Sequence, residues 1–194
     1  MALITQQETA ILRLTQALFN AAPGAIYLKA LNEEVLAGQS FADLAQAIVN
    51  STSFFIENNK HDPFDLFSNQ GLVDWSFVID SITGNNISTA NKEWVIDYLN
   101  SRDDISQYQL FREISEALPS ISFSDLGWGK AAFFYHSRNA QKIVDNLLSD
   151  TASATDKASI VDYMLAQIDS GKSMGEMIEW AITSLDGIDH SDPV

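Results

Sequence analysis

Cysteine is absent from all 194 residues, which excludes a disulfide framework, a thiolate zinc site and a cysteine nucleophile. Histidine occurs only as His61, His136 and His190, and none falls in H-E-x-x-H or another ligand spacing. No run of 18 apolar residues exists, so no membrane-spanning helix is expected. The start, Met1 to Glu8, has neither the basic region nor the apolar run of a secretory signal peptide. Basic residues are scarce, 11 against 26 acidic, leaving a formal net charge of −15. That charge repels phosphate backbones and anionic lipid, so neither nucleic-acid binding nor membrane insertion is expected. Sustained alternation of apolar and polar residues is also missing, which predicts almost no strand.

What is present is helical periodicity, in a chain 46% hydrophobic and able to bury a core. Phe41, Leu44, Ala45, Ile48 and Val49 form one apolar stripe. Met174, Met177, Ile178, Ala181 and Ile182 repeat it at a constant offset, 171 − 38 = 133, set by Gly38 and Gly171. A stretched middle copy runs from Trp75 to Gly84 and resumes from Trp94 to Ser101. Each copy reads as a helix–turn–helix unit that buries its apolar face only when stacked on another.

The expected fold is therefore all-α, a multi-helix domain of about three degenerate helix–turn–helix repeats. Helices are expected near 5–21, 24–37, 40–57, 71–83, 88–100, 103–118, 122–136, 138–149, 155–170 and 173–185. Thr5-x-x-Glu8, Ser40-x-x-Asp43, Ser122-x-x-Asp125 and Ser173-x-x-Glu176 resemble capping boxes. Gly38, Gly84 and Gly171 are placed to close helices in left-handed caps. The expected organisation is a repeat bundle over 1–149, a terminal hairpin over 150–186 packed on it (or one domain over 1–186), and a polar linker over 187–194. The small polar run from Leu148 to Asp156 marks that boundary, or else a loop within one domain. The Asp-rich ending suggests the N-terminal part of a longer protein.

Two motifs look catalytic. Residues 166–173, Ala-Gln-Ile-Asp-Ser-Gly-Lys-Ser, satisfy a relaxed P-loop pattern, and 171–175 read as G-x-S-x-G. Both chemistries need a strand before the turn, whereas Ile160, Val161, Met164, Leu165 and Ile168 have helical spacing. The repeat counterpart of Lys172 is Gln39 and that of Ser173 is Ser40, so the serine is expected to cap a helix. No enzymatic activity is expected. No EF-hand loop is present. Asp62/Asp65, Asp103/Asp104 and Asp186/Asp189/Asp192 could supply oxygen ligands to weak calcium sites, although turn and cap roles are the ordinary use of such aspartates. Calcium is thus a candidate cofactor without an assigned metal site.

Trp75, Trp94 and Trp180 fall on apolar stripes, where core packing is the default. Trp128 differs: Gly127-Trp128-Gly129-Lys130 interrupts a helical pattern and precedes Phe133, Phe134, Tyr135 and His136. A tryptophan between glycines can lie under a sugar ring, with Lys130 or Arg138 reaching an acidic group, or plug a gap between helices.

Residues 16–54 carry a resemblance. Gln16 to Gly24, the Gly38 turn, and Phe41 to Phe54 resemble the short helical repeats of secreted bacterial RTX-type and S-layer proteins. The family pattern runs from "P-D-x-x-G-x-x-Y/F-W" to "G-x-S-x-x-x-x-A-x-x-F-x-x-S-x-E-F". Here the aromatic pair is displaced to Ile26-Tyr27-Leu28 and Ser53 replaces the final acidic residue. The resemblance implies a cell-surface anchoring domain that binds lipopolysaccharide O-antigen, exported by type I secretion, with calcium assembling a lattice in which copies self-associate.

The expected function is non-enzymatic anchoring to bacterial surface polysaccharide, with Trp128, Lys130, Tyr135, Arg138, Asn69 and Gln70 as saccharide contacts. The alternative is a protein–protein scaffold or self-assembly module of a secreted adhesin, whose acidic surface would prefer a basic partner.

Overall fold

The computed structural model describes residues 6–59, 73–149 and 151–186. Among them the chain is all-α. The helices are α1 (Gln6–Phe19), α2 (Ala25–Leu36), α3 (Phe41–Val49), α4 (Thr52–Asn59), α5 (Trp75–Thr83), α6 (Thr89–Ser101), α7 (Gln107–Ala117), α8 (Gly129–Leu148), α9 (Ala154–Asp169) and α10 (Met174–Asp186), with a 3-10 turn at Leu118–Ser120. They fall into two compact units, Met1–Val49 with Ala140–Val194, and Asn50–Asn139. Leu148 to Asp156 joins α8 to α9 inside the first unit, and 187–194 lies outside the described residues.

In the first unit the two stripes read from the sequence meet, because α3 packs most extensively on α10. Leu44, Ala45, Ile48 and Val49 are buried, and so are Met174, Met177, Ile178, Ala181 and Ile182. Also buried in this unit are Ile11, Leu14, Ala17 and Leu18 of α1, Leu31 of α2, Ile143 and Val144 of α8, and Val161, Met164, Leu165 and Ile168 of α9. Each large aliphatic side chain buried there contributes about 1.5–3 kcal/mol relative to exposure. The Asn146 amide donates to the Ala17 carbonyl at 2.8 Å, satisfying an orphan acceptor in the last turn of α1.

The turns before α3 and α10 share one hydrogen-bond pattern. Gly38 N–H donates to the Val35 carbonyl and Gln39 N–H to Glu34; Gly171 N–H donates to Ile168 and Lys172 N–H to Gln167. This is the Schellman arrangement. Gly38 and Gly171 have φ of +100° and +105°, which side chains disfavour. Ser40 Oγ then accepts from Asp43 N–H and Ser173 Oγ from Glu176 N–H, both at 3.1 Å.

The second unit is built on Trp75, Val78, Ile79 and Ile82 of α5, Val95 and Leu99 of α6, Leu110 and Phe111 of α7, and Ala131, Ala132 and Tyr135 of α8. Phe55 of α4 meets Phe111 edge-on at 5.2 Å. Asp74, Ser88 and Ser106 cap α5, α6 and α7, and Ser106 with Gln109 makes a full capping box.

Three sequence expectations need correction. The helix expected over 40–57 breaks at Asn50–Ser51, where Ser51 Oγ accepts from Phe54 N–H at 3.2 Å and starts α4. Residues 122–136 and 138–149 are not two helices: 129–148 is one, preceded by a turn. Ser122 makes no capping box, its Oγ accepting from Ser124 N–H at 3.3 Å; Asp125 holds the turn into α8 instead, its Oδ1 accepting from Gly127 N–H at 2.8 Å and Trp128 N–H at 2.7 Å. Thr5 lies outside the described residues.

Candidate functional site

Gly127-Trp128-Gly129-Lys130 is the start of α8 rather than a break inside a helix. Gly129 is required there: a Cβ would lie 2.3 Å from the Phe123 carbonyl oxygen. The half-buried Trp128 ring and the Lys130 side chain diverge from this start into separate depressions of the second unit.

Lys130 borders a cleft with Asn86, Ser137, Phe123, Phe133 and Phe134. Phe133 is 46% exposed, and Phe123 supports it edge-on at 5.4 Å. The Asn86 amide is anchored through its nitrogen to the Thr83 and Gly84 carbonyls at 2.9 and 3.1 Å, leaving its oxygen uncommitted by those bonds. Lys130 is exposed and has no ion pair among the described residues. The cleft thus combines an aromatic face with a cation, an amide and a hydroxyl, groups that meet the apolar and polar faces of a sugar ring.

Trp128 lines an apolar groove with Trp94 and Tyr98 of α6. Trp94, expected in the core, is 66% exposed. It stacks on Tyr98 with ring centroids 6.1 Å apart and planes 14° from parallel. The buried stripe of α6 is Val95 and Leu99, one residue round the helix, and Trp94 lies beside that stripe rather than on it. Their spacing, i and i+4, was the available signal that Trp94 and Tyr98 share a face. Trp75 is buried as expected, and Trp180 is half-buried against Tyr163 at 4.6 Å.

The other expected contacts turn inward. Tyr135 is buried and its phenol is pushed up to about 12 by desolvation, so it presents no ring face outside. Arg138 is half-buried, donating to the Ser81 carbonyl at 2.8 Å and to Asn59 Oδ1 at 3.2 Å, with its guanidinium over Phe134. Burial lowers its pKa, and the neighbouring Tyr135 partly opposes that shift. Periodicity could not separate these positions from Lys130 because α8 buries two adjacent faces, Ala131/Tyr135 and Ala132/His136. Asn69 and Gln70 lie outside the described residues.

The catalytic-looking turn is a helix junction. Residues 154–169 before it form α9, not a strand. Ser173 caps α10, and Lys172 pairs with Glu176 at 2.9 Å, which holds the Glu176 carboxylate below its usual range. Among the described residues no three acidic or histidine side chains gather as a metal would need. Asp104 is engaged by Arg102 at 2.6 Å, and Asp62, Asp65, Asp189, Asp192, His61 and His190 lie outside the described residues. Among those residues no helix is long and apolar enough to cross a membrane. Compared with models of known protein families, with curated proteins and with solved structures, the chain finds no match.

Proposed function

We propose that this chain is a non-enzymatic anchoring domain that holds bacterial surface polysaccharide, in the manner of secreted RTX-type and S-layer proteins, whose short repeats residues 16–54 resemble. The observation that carries this reading is the cleft at the start of α8, where the exposed Phe133 ring stands beside Lys130, Asn86 and Ser137. The C–H face of a pyranose stacks on the ring while Asn86 and Ser137 exchange hydrogen bonds with its hydroxyls. Lys130 takes an acidic substituent. Of the contacts expected from sequence, Lys130 stays in this proposal, Tyr135 and Arg138 act as supports, and Trp128 belongs to the neighbouring groove.

We also propose that the fold descends from about three degenerate helix–turn–helix units. The matching Schellman turns at Gly38 and Gly171 support the outer two. The α5–α6 hairpin would be the middle copy, with a longer turn in which Gly84 and Asn85 both take positive φ.

The test is retention of the full chain on cells of its source, with and without their surface polysaccharide, at fixed calcium. Retention that disappears with the polysaccharide and weakens in Lys130→Glu is expected. Retention indifferent to the polysaccharide would end this reading in favour of a protein-binding scaffold.

A further inference from the structure

The groove beside the cleft has different chemistry and asks for a different ligand. Around α6, Val95 and Leu99 face the core, and one step on Trp94 and Tyr98 border a groove of about 290 Å³. Ile82, Ile114, Ile121 and Trp128 supply much of the rest of its lining. Few polar side chains reach it. The Thr83 hydroxyl donates to the Ile79 carbonyl at 2.7 Å, and Glu113 stands at 3.6 Å from Arg102.

That lining decides against a sugar. Hydroxyls pressed into it would leave water without new partners, a net cost, whereas aliphatic side chains would gain from the same transfer. The size agrees: about 290 Å³ is at the lower limit for a small-molecule pocket, but it accommodates a few apolar anchors projected from one face of a helix.

Charge chooses the partner. Residues 89–117, which make α6, α7 and their loop, carry six carboxylates and three cations, a balance of 3 − 6 = −3. All three cations are engaged: Lys92 with Asp80 at 2.6 Å, Arg102 with Asp104 at 2.6 Å and Arg112 with Glu116 at 2.6 Å. Glu93, Asp97 and Asp103 are exposed and have no ion pair among the described residues. Glu93 and Asp97 follow Trp94 and Tyr98 round α6 on the side away from the core, so they edge the aromatic pair with uncompensated negative charge.

We propose that this groove docks a basic amphipathic helix of another polypeptide, with apolar anchors at i, i+3 or i+4, and i+7, and lysines or arginines beside them. Anchors enter between Trp94 and Trp128 while the cations face Glu93 and Asp97. This partner would be bound in addition to polysaccharide, at a separate site.

The experiment uses the full chain and three synthetic peptides of about four helical turns: a Leu-striped peptide flanked by lysines, the same composition scrambled to break the stripe, and the striped peptide with glutamates for lysines. Tryptophan emission and calorimetry follow binding. The basic striped peptide is expected to bind at least about tenfold more tightly than either control, more weakly as salt screens the rim, and with a blue shift as Trp94 is covered. Trp94→Ala with Tyr98→Ala should weaken it about tenfold when measured well below the unfolding midpoint of the variant. Lys130→Ala should bind it unchanged, which separates this site from the polysaccharide cleft. Equal binding of the scrambled or glutamate peptide, indifference to the double substitution, or no binding of the basic striped peptide would overturn the proposal.

Discussion

Gly175 rests against Ala42, its own counterpart 133 residues earlier: a Cβ on Gly175 would lie 2.0 Å from the Ala42 carbonyl oxygen. The Gly175 N–H donates to Gln46 Oε1 at 3.0 Å across the same crossing. α3 and α10 therefore meet at matching points of matching stripes, and the closeness of the crossing depends on a residue without a side chain.

Gly175→Ala should accordingly destabilise the protein. Helix propensity favours alanine by about 1 kcal/mol, but forcing a methyl into backbone costs about 3 kcal/mol. A net loss near 2 kcal/mol is expected in equilibrium urea unfolding. Gly24→Ala is the control: its φ is −63° and a Cβ there meets nothing within 4 Å, so it should change stability by no more than about 0.5 kcal/mol.

His136 gives the fold an acid limit. It is 1% exposed, bounded by Phe123, Tyr135 and the Pro119 carbonyl, and burial pushes its pKa down to about 4. The folded value lies below the unfolded one, about 6.5, so the unfolded chain binds the extra proton between them. The contribution is intact above pH 6.5 and falls away as pH drops towards 4, by about 3 kcal/mol in all. Urea midpoints for His136→Phe should lack this dependence over that window, where the parent shows it.

The two tryptophans that sequence placed alike should separate in experiment. Trp75→Ala opens the core of the second unit and should cost about 3–5 kcal/mol. Trp94→Ala removes a largely exposed ring and should cost under about 1 kcal/mol. Thermal unfolding of both variants measures this. Similar losses would return Trp94 to the core.

Arg138 should behave as a strut. Arg138→Met keeps part of the stem but abandons the Ser81 carbonyl and Asn59, at about 1–3 kcal/mol. Polysaccharide affinity measured well below the unfolding midpoint should stay within about twofold of the parent, a difference of about 0.4 kcal/mol.

The helical stripes at 41–49 and 174–182, and the glycine–serine turns before them, were legible because each buries one face and ends in a local hydrogen-bonding motif. The break at Ser51 had a signal in Asn50-Ser51-Thr52-Ser53, but the apolar spacing runs through it. The start of α8 was misplaced because Asp125 reaches two N–H groups from the preceding turn, a cap without a box. The candidate site was half legible. Lys130 stood out as a cation beside aromatics, and Phe133 follows it at i+3 on the same face of α8, whereas Asn86 is joined to it only by how α8 lies along the turn after α5. Tyr135 and Arg138 follow the same sequence rule as Lys130 and turn inward, since facing depends on which neighbours a helix finds.

The most direct test of the account is calorimetric titration of the full chain with purified surface polysaccharide, beside Phe133→Ser and Lys130→Ala. Binding by the parent, at least about tenfold weaker binding by each variant, and unchanged far-ultraviolet circular dichroism are expected. No heat of binding from the parent, or equal affinity in all three proteins, would contradict it.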